Sequence, residues 1–229
     1  MKNKLLIISL SLSLFFLNGC KKILSKKNIQ HGIATFAIKY ETTKEQNPIV
    51  ILLPNKMNTY FQNNKTATIV EGFFGTFKMI MLSRPDINRK YTIIRVLDKK
   101  YIYETDLKGK PFASGEMQDM KITFLDTNLT YKGFRCKVAA VHCPSIQPDT
   151  FWVYYTKDIS IRYANVNTPY YKIPGVLLKF KLKLLGIVMD INLDKIKNDK
   201  FDSSILEVPK QGYKYVDFMQ LQQILKSLQ

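Results

Sequence analysis

The side chains that do most enzyme chemistry near neutral pH are scarce in this chain. Histidine occurs twice and cysteine three times among 229 residues. His31 and His142 lie far apart in sequence, and no spacing of cysteine and histidine matches a zinc pattern. There is no G-x-S-x-G, no H-E-x-x-H, no P-loop and no dinucleotide fingerprint. These absences lead to the expectation of a non-enzymatic protein with no catalytic residues, no metal ligands and no cofactor. A hydrolase assembled from serine or aspartate across several strands is the alternative they leave. Negative charge is also short: 18 acids stand against 35 lysines and arginines, for a formal charge of +17. The lysines are spread along the whole chain with no recognisable binding motif, so no nucleic-acid partner is expected. They read as solvated strand faces, with a face leaning on anionic lipid as the alternative. A long apolar run is missing too. Leu5 to Leu17 is uncharged, but as a helix rising about 1.5 Å per residue it reaches only about 20 Å, short of the roughly 30 Å hydrocarbon slab.

What stands around that short run points to export. Lys2 and Lys4 precede it, as in a secretory signal, and Leu17-Asn18-Gly19-Cys20 follows it and resembles a bacterial lipobox. The expectation is a signal peptide over 1–19, lipidation of Cys20, and a basic tether over 20–30 carrying Lys21, Lys22, Lys26 and Lys27. An ordinary secretory signal with a chance cysteine is the alternative. Acyl chains, each buried CH₂ contributing about 0.8 kcal/mol, would make the membrane a permanent partner. Loss of 1–19 removes Lys2 and Lys4 and lowers the charge to +15. In lipoproteins of enteric type an Asp after the cysteine is associated with the inner membrane. Lys21 stands there, so the resemblance implies the outer membrane, and the lack of an acidic run after Cys20 favours its periplasm-facing leaflet.

Two cysteines remain, in "GFRCKVAAVHC". On one strand Cys136 and Cys143 would be about 23 Å apart and on opposite faces, against the 7 Å or less a disulfide allows. Buried thiols are the preferred reading; a disulfide would need a turn near Ala139 and Ala140. "EGFFGTF" (71–77) has two glycines between strand-like aromatics and reads as a hairpin turn rather than a phosphate cradle.

Along the rest of the chain the dominant period is two. "GIATFAIKY" (32–40), "YTIIRVL" (91–97), "KYIYET" (100–105), "KITFL" (121–125), "FRCKVAAV" (134–141) and "FWVYYT" (151–156) are β-branched or aromatic runs bounded by turn residues. No long helical pattern separates them, which excludes βαβ units. The expected fold is mainly β: one domain over 31–229, a single antiparallel meander forming a curved sheet or half-barrel with a C-terminal helix packed on it. The clearest register is in 178–193. A two-residue loop at Leu185-Gly186 pairs Leu184 with Ile187, Leu182 with Met189, Phe180 with Ile191 and Leu178 with Leu193 on one face, and sets Lys181 opposite Asp190. Leu178, Phe180, Leu182, Leu184, Ile187, Met189 and Ile191 are therefore the candidate residues facing an apolar ligand. Leucine in such a turn is disfavoured. The helix is expected over 218–228, capped by Asp217 with Gln220 completing a capping box and Val216 stapled to Leu221. Phe218, Leu221, Ile224, Leu225 and Leu228 form its apolar stripe, which packs on the sheet or, alternatively, serves as a movable lid.

"YKGFRCKVA", "FWVYYTKDI" and "NTPYYKIPGVLLKF" together carry a family likeness. In order and spacing they resemble the envelope proteins of the GLPGLI family, on Gly133, Phe134, Cys136 and Ala139, then Trp152, Tyr155 and Thr156, then Pro169, Tyr170, Ile173, Pro174, Gly175, Val176 and Leu177. Lys172, Val176 and Thr168 depart from that pattern, which suggests a related branch. Such proteins look like distant relatives of the lipoprotein carrier and receptor half-barrels (LolA/LolB-like). That resemblance implies an antiparallel half-barrel whose concave face takes up acyl chains, hence a lipid or acyl-chain ligand. An accessory envelope lipoprotein acting through an unidentified protein partner is the other reading.

Overall fold

The computed structural model describes residues 28–43, 45–109 and 111–227. The expected signal peptide, Cys20 and most of the tether lie outside the described residues, as does Leu228.

Six strands follow one another as hairpins: β1 (His31–Tyr40), β2 (Lys56–Gln62), β3 (Lys65–Gly72), β4 (Phe77–Arg84), β5 (Arg89–Val96) and β6 (Lys99–Asp106). A second run comprises β7 (Lys121–Tyr131), β8 (Phe134–His142), β9 (Thr150–Thr156), β10 (Val176–Leu184) and β11 (Ile187–Lys197). The two runs join where β1 pairs antiparallel with β11, and a short β12 (Lys214–Tyr215) adds to β6 in parallel. The result is one open, mostly antiparallel sheet in the order β12-β6-β5-β4-β3-β2-β1-β11-β10-β9-β8-β7. It departs from a single meander at the β1–β11 seam, which brings residues about 150 apart in sequence side by side.

Turn chemistry sets the hairpins. Asn63 and Asn64 between β2 and β3, Lys132 and Gly133 between β7 and β8, and Leu185 and Gly186 between β10 and β11 all have positive φ. Such paired left-handed residues match the twist of the flanking strands. Asparagine and glycine adopt that conformation readily, and Leu185 does not. Its turn is held from outside: the Glu116 carboxylate accepts from Leu185 N–H at 2.5 Å and from Gly186 N–H at 2.8 Å. The hairpin has the expected register at Leu184–Ile187, Leu182–Met189, Phe180–Ile191 and Lys181–Asp190. The ladder stops at Lys179–Asn192, one pair short of Leu178–Leu193, because β10 shifts register against β9 between Leu177 and Lys179.

Residues 201–226 wrap the β2–β6 half on both faces. Phe201, Ile205, Leu206, Val208 and Tyr213 cover Ala67, Leu82, Tyr91, Ile93 and Ile102 on the convex side. Lys65 and Arg84 both bind Glu207 there, and Arg84 also binds Asp86 at 2.7 Å. β12 then passes the β6 edge, and α1 (Phe218–Lys226) turns onto the concave side, where Leu221 and Leu225 bury against Met79 and Ile94. β5 is thus covered on both faces, which explains why it reads as a continuous apolar run rather than an alternation. The capping box on α1 is complete: Gln220 N–H donates to Asp217 Oδ1 at 2.8 Å and Asp217 N–H donates to Gln220 Oε1 at 3.0 Å.

Candidate ligand cavity

The concave face carries two adjoining hollows. The outer one, about 210 Å³, lies between β1–β4 on one side and the β10–β11 hairpin on the other, with Leu225 of α1 in its wall. The inner one, about 70 Å³, lies beneath loop 157–175 against β1–β3 and β10. Among the described residues no charged side chain lines either hollow.

The register explains the lining. On β1, Phe36 and Ile38 face Leu193 and Ile191 of β11, and Tyr40 faces Met189. Met57 of β2 faces Val70 of β3, which faces Met79 of β4. Because side chains alternate along a strand, these residues share one face with Thr59, Thr68 and Met81. Four of the chain's eight methionines, Met57, Met79, Met81 and Met189, border the outer hollow. Several of the polar groups bond within the protein. Thr59 and Thr68 hydroxyls pair at 3.0 Å, and Tyr40 donates to the Pro54 carbonyl at 2.6 Å. Burial pushes the Tyr40 phenol far above its ordinary range, so it stays neutral.

Of the residues expected to face a ligand, Leu182, Leu184, Ile187, Met189 and Ile191 line the outer hollow, and Phe180 and Leu182 the inner one. Leu178 lines neither. It sits at the β10 register shift, wholly buried in the main core. β2, β3 and β4 also line the hollows, and threonine on the concave faces of β2 and β3 masks a period-two apolar pattern there. Gly72 and Gly75 do flank a turn: Phe73, Phe74 and Gly75, all at positive φ, join β3 to β4, and Phe73 lines the outer hollow.

The mouth lies at the loop end of β1–β6. Leu53, Pro54, Phe73 and Leu185 border it. Next to them Ile51, Phe74 and Leu97 are 67%, 94% and 67% exposed. Leu97 N–H donates to Thr76 O at 2.7 Å, which ties two of these loops together.

Groups with chemical potential lie elsewhere. Ser83 and Lys90 are cross-strand neighbours on β4 and β5, both buried. Lys90 Nζ donates to Gly109 O and Val166 O, each at 2.7 Å, and Ser83 Oγ has no hydrogen-bond partner. Desolvation lowers the Lys90 ammonium to about 8. The pair lines neither hollow, and the lysine works as a tie between β5 and two loops. Cys136 and Cys143 are free and buried, and burial raises the Cys136 thiol to about 11. Among the described residues no group of three or more His, Cys, Asp or Glu is arranged to hold a metal ion.

Taken together, the fold and hollow define an open β-bowl with an apolar, uncharged pocket. No family model and no curated protein matches the chain. Among solved structures it is similar to PNGF-II in a C2 crystal form, at 12% identity and TM-score 0.52 over 86% of this chain and 32% of that one. A P21 form of PNGF-II aligns at 14% identity and TM-score 0.47, over 86% of this chain and 34% of that one. The chain thus spans about a third of the length of PNGF-II, and at this identity the likeness concerns the fold alone.

Proposed function

We propose that this protein is a non-enzymatic envelope lipoprotein, anchored through Cys20 at the periplasm-facing side of the outer membrane, whose β-bowl holds the apolar part of a lipid. One observation carries the binding step: a hollow of about 210 Å³ bounded by strands on two sides and by no charged group among the described residues. An apolar cavity of about 150 Å³ already accommodates a benzene-sized solute and stays dry when empty. A charged group could not enter without losing solvation, so the headgroup stays at the mouth while the chain fills the bowl.

The test is direct. The full chain carrying Cys20→Ser is purified without detergent, extracted with organic solvent and analysed by mass spectrometry. Stoichiometric lipid is expected, and Met189→Asp should abolish it while circular dichroism shows the sheet intact. Lipid-free wild type that also fails to take up added lipid would refute the binding role. A second reading, in which the protein acts through a protein partner, draws on the exposed Ile51, Phe74 and Leu97 at the mouth. In that case Phe74→Ser would abolish co-purification of a partner and leave the lipid content unchanged.

A further inference from the structure

The two hollows share part of their lining: Met57, Met81, Leu182, Asn167 and Thr168 border both. Met57 and Met81 come from the β2–β4 wall, Leu182 from the β10 wall, and Asn167 and Thr168 from the loop above. Beyond this ring the inner hollow is lined by Phe36, Phe61 and Leu177, all buried. Folded interiors are close-packed and seldom leave voids larger than a water molecule. Two such spaces separated by a ring of side chains therefore call for an explanation.

The ring's composition supplies one. Asn165, beside the two loop residues, is fixed by bonds from its Nδ2 to Ile173 O at 2.9 Å and Gly175 O at 2.7 Å. Thr168 Oγ1 donates to Asn165 O at 2.9 Å, and Leu182 is 8% exposed on a paired strand. The loop side and the β10 side are thus set. Methionine is different: an unbranched side chain with three rotatable bonds refills irregular space without moving the backbone. In the inner hollow the Thr59 and Thr68 hydroxyls are paired with each other, which leaves them less to offer water.

We propose that Met57 and Met81 form a movable gate between the two hollows, so that the bowl selects straight, flexible apolar chains by length. Short chains fill the outer hollow and stop at the gate. Longer chains bind with added strength only by displacing the methionines into the inner hollow. This inference rests on the lipid-binding reading and names the substrate class and the residue that sets its limit.

The experiment uses the full chain carrying Cys20→Ser, titrated calorimetrically with straight-chain primary alcohols from octanol to octadecanol. Each methylene that becomes buried should tighten binding by about fourfold. In the wild type this rise holds up to a break length and then flattens as the gate is met. Met81→Ala should move the break to longer chains, so that alcohols beyond the wild-type break gain about fourfold per added methylene. Met81→Phe should move it to shorter ones, while the volume-conserving Met81→Leu should keep the wild-type break and so control for folding. A break at the same length in all four proteins, or a wild type with no break, would overturn the gate and leave the lipid-binding reading standing. A wild type that binds no alcohol of any length would overturn both.

Discussion

One side of the bowl is solid and the other hollow, although both are built from the same kind of strand. Over β8–β10 the loop 157–175 supplies its own filling: Ile159, Ile161, Tyr170 and Ile173 join Val153, Tyr155, Leu177 and Leu178 in one core. Tyr170 is wholly buried, donates its hydroxyl to Lys181 O at 2.5 Å and meets Phe180 edge to face at 5.8 Å. Over the outer hollow, between β1–β4 and β11, the same loop contributes only Asn167 and Thr168, and methionines border empty space. The difference lies in the connections. The sheet provides a concave apolar surface everywhere, and the length and content of the loop above decide whether that surface becomes core or cavity.

Truncating one large side chain on each side tests this most strongly. Tyr170→Ala should cost about 4 kcal/mol in urea unfolding, since it leaves a void in close-packed surroundings and an unpaired Lys181 carbonyl. Met189→Ala should cost about 1 kcal/mol, because part of that side chain already faces open space. Equal losses would mean that the hollow side is as tightly packed as the solid one.

Lys90 sharpens the comparison at the place where loop 157–175 is tied to the β2–β6 half. Its ammonium is held at about 8 by burial, whereas the unfolded chain keeps that proton up to about 10.5. Between those values unfolding takes up a proton, so this group's contribution to stability rises with pH. Lys90→Met removes the contribution. Wild type should therefore gain on the variant from pH 8 to 10.5, by at most about 3 kcal/mol. A difference that stays constant with pH would show that the ammonium is solvated and that the loop does not seal that end.

Overfilling reverses the first test. Val153→Phe on the solid side should cost about 2 kcal/mol, whereas Val70→Phe, pointing into the outer hollow, should change stability by less than about 1 kcal/mol and weaken lipid uptake. Val153 is 0% exposed and Val70 lines the cavity.

These contrasts also show which parts of the molecule can be read from sequence. The β10–β11 hairpin was legible because Leu and Lys alternate strictly, one face being buried and the other wet. The capping box on α1 was legible because it is local. Leu178 belongs to that alternation yet lines no cavity, since its place is set by a register shift against β9, a contact between strands that sequence spacing does not report. β2 and β3 are hard to read because their cavity-facing positions carry Thr59, Thr66 and Thr68, polar groups that suit a pocket wall and blur the period of a core strand, while β4 is apolar on both faces and shows no alternation. The seam between β1 and β11 and the buried Lys90 are consequences of long-range pairing, with no local signal beyond a lysine at the head of an apolar run.

The smallest expected effect concerns α1, whose Leu225 lies in the wall of the outer hollow. Asp217→Ala removes the side-chain acceptor for Gln220 N–H and should cost about 1 kcal/mol. Where that loss appears is more informative than its size. If α1 is an independent cover resting on Met79 and Ile94, amide exchange should quicken at Leu221 to Leu225 while β8 and β9 keep their protection, because local opening need not disturb a core packed elsewhere. Leu225 lines the outer hollow, so a lipid held there as proposed should restore protection in the variant and thereby report occupancy from the helix side. Faster exchange spread evenly over β8, β9 and α1 would instead mean that the hollow and solid sides unfold as one cooperative unit, and the division drawn between them would be geometric without being energetic.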